Sequence, residues 1–152
     1  MRHLCLLHQN IMITAERYHD ISCGHRVVGH EGKCRFLHGH NYRIVFTVAT
    51  EELDQFGRVL DFSVIKSQLC QWLEENFDHR FLIWSEDELL PQLSVIAKES
   101  LMVVPFNPTA ENIARYLVEV VAPQQLQGTS ARLISCRVEE TRKCSATFSL
   151  NE

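Results

Sequence analysis

His38-Gly39-His40-Asn41-Tyr42-Arg43-Ile44-Val45-Phe46-Thr47-Val48 is the stretch from which the rest of the chain can be read. Tyr42, Ile44, Phe46 and Val48 recur at every second position, so the segment is expected to form a strand with one apolar face. His38 and His40 keep the same period at its start, and in an extended chain both imidazoles leave the backbone on one side. Two such rings can converge on one ion. A third imidazole from another strand would complete the set, and His25 qualifies because Ile21, Cys23 and His25 share a face if that stretch is extended. Three histidines leave one tetrahedral position of a zinc ion open, which is the arrangement of a catalytic site.

Two other readings of these histidines stay open. A His-x-His pair also occurs as ordinary hydrogen-bonding residues. Alternatively, Cys23 or Cys34 could supply a fourth ligand and close the site as a structural zinc, although the spacings are not those of a zinc finger.

At 152 residues the chain is expected to form a single domain, 1–152, able to bury a core without covalent staples. The six cysteines, at positions 5, 23, 34, 70, 136 and 144, show no paired spacing and read as reduced thiols of a cytoplasmic protein. The apolar run Met1 to Leu7 is broken at His8-Gln9-Asn10 and is too short for a signal peptide, and nothing approaches a membrane span. With a formal charge of −4 and no basic block, there is no electrostatic footprint for nucleic acid. An anionic ligand would have to be met by local cations.

Outward from the opening stretch, Ile11 to Asp20 reads as a weaker strand, resting on Ile11, Ile13 and Ala15. The two strands would form a hairpin through a long loop from Val28 to Arg35, which holds Gly29 and Gly32. Asp61-Phe62-Ser63 offers a helix N-cap, followed at helical spacing by Ile65, Leu69, Trp72 and Leu73, with an end near Phe77. Pro108-Thr109 starts a second helix with Ile113, Leu117 and Val120-Val121 on its buried stripe, and Pro123 is expected beyond its end. Ser85 to Asn107 reads as an irregular excursion. Arg132 to Thr141 and Cys144 to Leu150 read as a closing hairpin. The expected plan is α+β, with two helices on one face of an antiparallel four-stranded sheet whose exposed edges favour oligomerisation.

Three further positions can carry chemistry. Glu139 and Glu140 are thrown to opposite faces of a strand, and Glu140 shares parity with Ile134, Cys136 and Val138, the apolar side on which a charge demands a partner. Asp78-His79 follows the first helix, where the carboxylate could fix the imidazole tautomer for acid or base work. The same dipeptide also suits an ordinary helix C-terminus. Cys34 lies between Lys33 and Arg35, neighbours that favour a thiolate.

The elements Gly24-His25-Arg26, Lys33-Cys34, Leu37-His38-Gly39-His40-Asn41-Tyr42, Asp61-Phe62, Asp78-His79, Asn107-Pro108-Thr109-Ala110-Glu111-Asn112 and Glu140-Thr141 follow one another in this order. Together they resemble the family of 6-pyruvoyl-tetrahydropterin and 6-carboxy-tetrahydropterin synthases, of the tunnelling fold. The resemblance implies zinc as cofactor with His25, His38 and His40 as ligands, Cys34 as catalytic cysteine, and Asp78 and His79 as its acid–base partners. It further implies Glu140 as the carboxylate that anchors a pterin ring and Thr109 as a pterin contact, though a helix cap explains Thr109 equally well. In the family, the cysteine and the Asp-His pair reach one site from different subunits of a homo-oligomer, here expected as a hexamer closing into a barrel.

The substrate so implied is 7,8-dihydroneopterin triphosphate, with Lys33, Arg26 and Arg43 as cations for the triphosphate. The first expectation is the carboxy-forming synthase of queuosine and related deazapurine biosynthesis, which releases acetaldehyde and triphosphate. The alternatives are the pyruvoyl-forming synthase of biopterin biosynthesis and a non-catalytic, zinc-stabilised pterin-binding oligomer. Two departures stand out. Ile21-Ser22-Cys23-Gly24-His25 lacks the phenylalanine usual before the first histidine, and Ser85 to Asn107 is longer than in compact members.

Overall fold

The computed structural model describes residues 12–151. The run from Met1 to Leu7, Cys5, and Ile11 as the first residue of the expected strand lie outside the described residues. Six strands and three helices follow in the order β1 (Ile13–His25), β2 (His38–Thr50), α1 (62–76), β3 (Phe81–Trp84), α2 (Leu90–Ala97), β4 (Leu101–Val104), α3 (110–125), β5 (Arg132–Glu139) and β6 (Ser145–Ser149). The strands lie in one sheet in the order β4-β3-β1-β2-β5-β6.

β1, β2, β5 and β6 pair antiparallel, as the two expected hairpins require, with β2 beside β5. The sheet nevertheless has six strands rather than four, and it is mixed. After α1 the chain returns to the sheet twice, as β3 parallel to β1 just before the excursion and as β4 parallel to β3 within it. Leu82 and Ile83 are both buried, so this short strand is covered on both faces and shows no alternation. The excursion is therefore not irregular: it holds α2 and an edge strand.

The expected period-two face of β2 is the inner one, with Tyr42, Ile44, Phe46 and Val48 all buried. Against it pack Ile21 and Cys23 of β1, Cys136 and Val138 of β5, and the stripes of α1 and α3. Fully burying each large apolar side chain stabilises by about 1.5 to 3 kcal/mol. Both stripes run at intervals of four residues, Ile65, Leu69, Leu73 and Phe77 in one and Ile113, Leu117 and Val121 in the other. An α-helix of about 3.6 residues per turn would let such a stripe drift around its axis. Both helices take up the difference with one wide π turn, at Lys66–Cys70 and Leu117–Val121.

Asp61 caps α1 as expected, its Oδ1 accepting the Ser63 N–H at 2.8 Å. Pro123 was expected beyond α3 but lies inside it, in the stretch Ala122–Gln125. The return from π to α bonding already releases one carbonyl there, so a residue without an N–H is tolerated. β1 also runs five residues past its expected end, because it pairs with β2 as far as His25↔His38.

Candidate metal and pterin site

The register of β1 on β2 builds the centre. His25 faces His38, Gly24 faces Gly39, and Cys23 faces His40. Gly39 lets the strands close tightly, since a Cβ there would stand 2.9 Å from the Cys23 carbonyl oxygen. One nitrogen from each of His25, His38 and His40 lies within 4.8 Å of the other two. The Nε2 atoms of all three rings are buried and have no hydrogen-bond partner.

The tautomers suit a cation. His25 Nδ1 stands 2.6 Å from the Pro108 carbonyl oxygen and His38 Nδ1 stands 2.7 Å from that of Phe36. A carbonyl only accepts, so Nδ1 carries the proton in both and Nε2 offers a lone pair. Burial pushes the His25 pKa down to about 4, with the neighbouring His38 and His40 adding to the effect against the Pro108 hydrogen bond. Burial also lowers that of His40, opposed by Glu140. Three converging imidazoles with buried, unpartnered Nε2 atoms fit a zinc ion.

No cysteine belongs to this group among the described residues. Burial, with Asp78 nearby, pushes the Cys23 thiol up to about 12 in the metal-free chain.

The Glu140 carboxylate is on the imidazole side, Oε1 at 3.8 Å from His25 Nε2 and Oε2 at 4.0 Å from His40 Nε2. A cavity of about 340 Å³ opens beside it, lined by His25, His30, Cys34, Thr109, Glu140 and Cys144 among others. Cys34 sits in the single 3₁₀ turn Lys33–Arg35 of the β1–β2 connection. Thr109 serves both expected ends, for it lines this cavity and its Oγ1 accepts the Asn112 N–H at 3.2 Å as the cap of α3.

His79 borders a cavity of about 570 Å³ with His38 and His40, but neither it nor Asp78 lines the cavity that holds Cys34. With Glu139, Asp20, Arg43 and Arg142, both line a cavity of about 730 Å³. Asp78 Oδ2 stands 2.7 Å from His79 Nδ1, and its Oδ1 accepts the Ser22 N–H at 2.9 Å. Burial raises the Asp78 carboxyl, but the Ser22 N–H and His79 outweigh it and the net shift is downward. His79 is the one non-glycine described residue with positive φ, at 58°, and its side chain is 83 % exposed. Its backbone is held by a 2.7 Å hydrogen bond from its N–H to the Ser22 carbonyl. One chain thus presents an anchored imidazole outward, in a different cavity from Cys34.

Two of the three expected triphosphate cations are engaged. Arg26 is bonded to Asp87, and Arg43 donates to Asp20 at 2.8 and 3.0 Å while lying over the Tyr18 ring. Lys33 remains exposed. Sequence reasoning missed Pro108, Asp87 and Asn107 as supports of the site, and nothing in the local sequence marks Asp87.

A mixed sheet backed by helices, with three imidazoles converging where its two long strands begin and end, defines a narrow class. A family model described as 6-pyruvoyl tetrahydropterin synthase matches residues 14–151, and the chain belongs to that family. Over 134 residues it is 36 % identical to the 6-carboxy-5,6,7,8-tetrahydropterin synthase of Rickettsia typhi, covering 88 % of this chain and 97 % of that one. It is 29 % identical over 129 residues to the protein of that name from Haemophilus influenzae, covering 80 % of this chain and 92 % of the other. Among solved structures, an uncharacterized protein of Wolinella succinogenes superposes with TM-score 0.82 at 27 % identity, covering 93 % of this chain and 99 % of its own. A 6-pyruvoyltetrahydropterin synthase of Plasmodium vivax shares the fold at TM-score 0.73 and 17 % identity, with coverage of 93 % and 99 %.

Proposed function

We propose that this chain is a zinc-dependent 6-carboxy-5,6,7,8-tetrahydropterin synthase, converting 7,8-dihydroneopterin triphosphate and water to 6-carboxytetrahydropterin, acetaldehyde and triphosphate. The observation that carries the reading is the set of three unpartnered Nε2 atoms with the Glu140 carboxylate beside two of them, all next to the cavity that holds Cys34. The choice of the carboxy-forming reaction is supported by relatives of that name at 34–36 % identity over 88 % of the chain.

In this reading His25, His38 and His40 would hold zinc, which would supply Lewis acidity toward the side-chain hydroxyl groups of the substrate. Glu140 accepts hydrogen bonds from the amino-pyrimidinone edge and fixes the ring, with Thr109 as a further contact. Cys34 and His79 move protons between ring and side chain. Asp78 holds His79 at Nδ1, which leaves Nε2 for the transfer. Cys34 and His79 meet only when one subunit's cavity is closed by its neighbour, so the working unit is a homo-oligomer, a hexamer. Lys33 meets the triphosphate. The protein acts as one tunnelling-fold domain in the cytoplasm, at the queuosine branch of deazapurine biosynthesis.

The name of the matching family model favours a second reading, the pyruvoyl-forming synthase, which eliminates triphosphate and keeps the side chain. The experiment that separates them is product analysis after incubating the zinc-loaded protein with 7,8-dihydroneopterin triphosphate. Acetaldehyde and a carboxylated pterin are expected. A pyruvoyl pterin without acetaldehyde would establish the second reading, and binding without turnover would leave a pterin-binding oligomer.

A further inference from the structure

The excursion between α1 and α3 has no part in the chemistry above, yet its ends grip the loop that carries Cys34. Arg26, directly after His25, donates from Nε to Asp87 Oδ2 at 2.7 Å and from Nη2 to Oδ1 at 2.6 Å. The Asp87 side chain is 1 % exposed and that of Arg26 12 %. Asp87 Oδ1 also accepts the Leu89 N–H at 2.8 Å, which fixes the carboxylate in its own turn. The remaining Arg26 nitrogen, Nη1, reaches the carbonyl of Arg35 at 3.3 Å.

The next two residues are tied as well. Val27 donates its N–H to the carbonyl of Cys34 at 2.8 Å. Val28 is held at both backbone groups by Asn107, whose Oδ1 accepts its N–H at 2.9 Å and whose Nδ2 donates to its carbonyl at 3.0 Å. Asn107 is in turn fixed by the start of α3, its carbonyl accepting from Asn112 Nδ2 at 3.0 Å and from the Thr109 N–H at 2.7 Å. Residues 26–28 thus bridge two ends of the excursion to the turn that holds Cys34.

We propose that Arg26 and Asp87 are positioning residues for Cys34, and that the excursion from 85 to 107 is the buttress that aims this thiol into the cavity beside the imidazole centre. The inference rests on the reading of Cys34 as the reacting thiol. A buried ion pair is weak evidence for stability, because desolvation offsets its attraction. A two-point guanidinium fork specifies orientation, which a lysine cannot supply. It also explains why Arg26 is withheld from the triphosphate, since Nε and Nη2 both point at Asp87.

The test uses zinc-loaded full-length protein with Arg26→Lys or Asp87→Asn. Alkylation of Cys34 by iodoacetamide is followed by peptide mapping, which separates it from the exposed Cys144. With zinc occupancy unchanged, the Cys34 alkylation rate should shift by about threefold or more, and kcat should fall on the order of tenfold with KM within about twofold, as expected of a displaced reacting group. If Asp87→Asn does not fold, Arg26→Lys decides, since it keeps the charge and loses only the fork. A folded variant with wild-type alkylation rate and kcat, altered only in melting temperature, would overturn the proposal. Full activity in Cys34→Ala would instead overturn the reading of Cys34 and leave the alkylation comparison standing.

Discussion

His25 Nδ1 lies 2.6 Å from the carbonyl oxygen of Pro108, a contact across 83 positions of sequence. The entry to α3 therefore sets the tautomer of a residue at the end of β1. Because that carbonyl only accepts, the ring proton is on Nδ1 and the free lone pair is on Nε2, aimed at His38 and His40.

The purified protein should hold one zinc per chain through three imidazoles and no thiolate. Cobalt substitution reads the ligands directly. A strong sulfur-to-metal charge-transfer band that disappears in Cys34→Ala or Cys23→Ala would contradict the all-imidazole centre, and His38→Ala should abolish stoichiometric binding.

The metal-free fold should weaken in mild acid. The unfolded chain protonates His25 near the ordinary 6.5, whereas burial delays protonation in the fold to about 4. Its folded pKa is depressed, so the contribution is complete above about 6.5 and is lost as pH falls towards about 4, a change on the order of 3 kcal/mol. Urea midpoints across that interval should fall more steeply for the wild type than for His25→Gln. Parallel slopes would show that His25 titrates normally.

Mixing Cys34→Ala chains with His79→Ala chains should restore part of the activity. The two groups line separate cavities of one chain, so under the proposed shared site an intact pair in such a mixture forms only between different subunits. Failure to recover activity after verified subunit exchange would contradict a shared site.

The adjacent glutamates should behave oppositely. Glu140→Gln replaces an acceptor with a donor facing the ring's own N–H groups, and leaving such groups unpaired costs about 1 to 3 kcal/mol. Glu139 lies on the other face, 2.8 Å from Arg137, and Glu139→Gln should change kcat/KM little. A larger loss for Glu139→Gln, at equal zinc content, would reverse the assignment.

Gly39→Ala should damage the centre without touching a ligand. Its Cβ would stand 2.9 Å from the Cys23 carbonyl and 3.4 Å from the Gly24 Cα, both backbone, so β1 and β2 must part between His38 and His40. Overpacking of this kind costs typically 1 to 3 kcal/mol, roughly, and zinc affinity should fall with it. Calorimetric melting and zinc titration check both effects.

What could be read without coordinates was local and periodic. The alternation from Tyr42 to Val48 placed the inner face of β2, and Asp61 and Thr109 marked the starts of two helices through the chemistry of capping. Parity separated Glu140 from Glu139, although Ile134 broke the pattern used to argue it. A bulge opposite Thr47 and Val48 puts Leu133 rather than Ile134 in the core, and because it lies before Cys136 it leaves the Glu140 end in phase.

The remainder was decided by contacts between distant segments. β3 and β4 were missed because each is only four residues long: β3, with Leu82 and Ile83 both buried, has no period to detect, and the edge strand β4, with Val103 exposed, is fixed by its pairing with β3 beside β1. β1 was cut short because Cys23-Gly24 carries little strand preference, and pairing with β2 extends it to His25. Sequence alone determined which residue types share a face, since that follows from backbone geometry within a few residues. Tertiary structure alone decided that Pro108 meets His25, that Asp87 meets Arg26, and that Cys34 and His79 part into different cavities, because packing and burial choose partners that spacing along the chain does not encode.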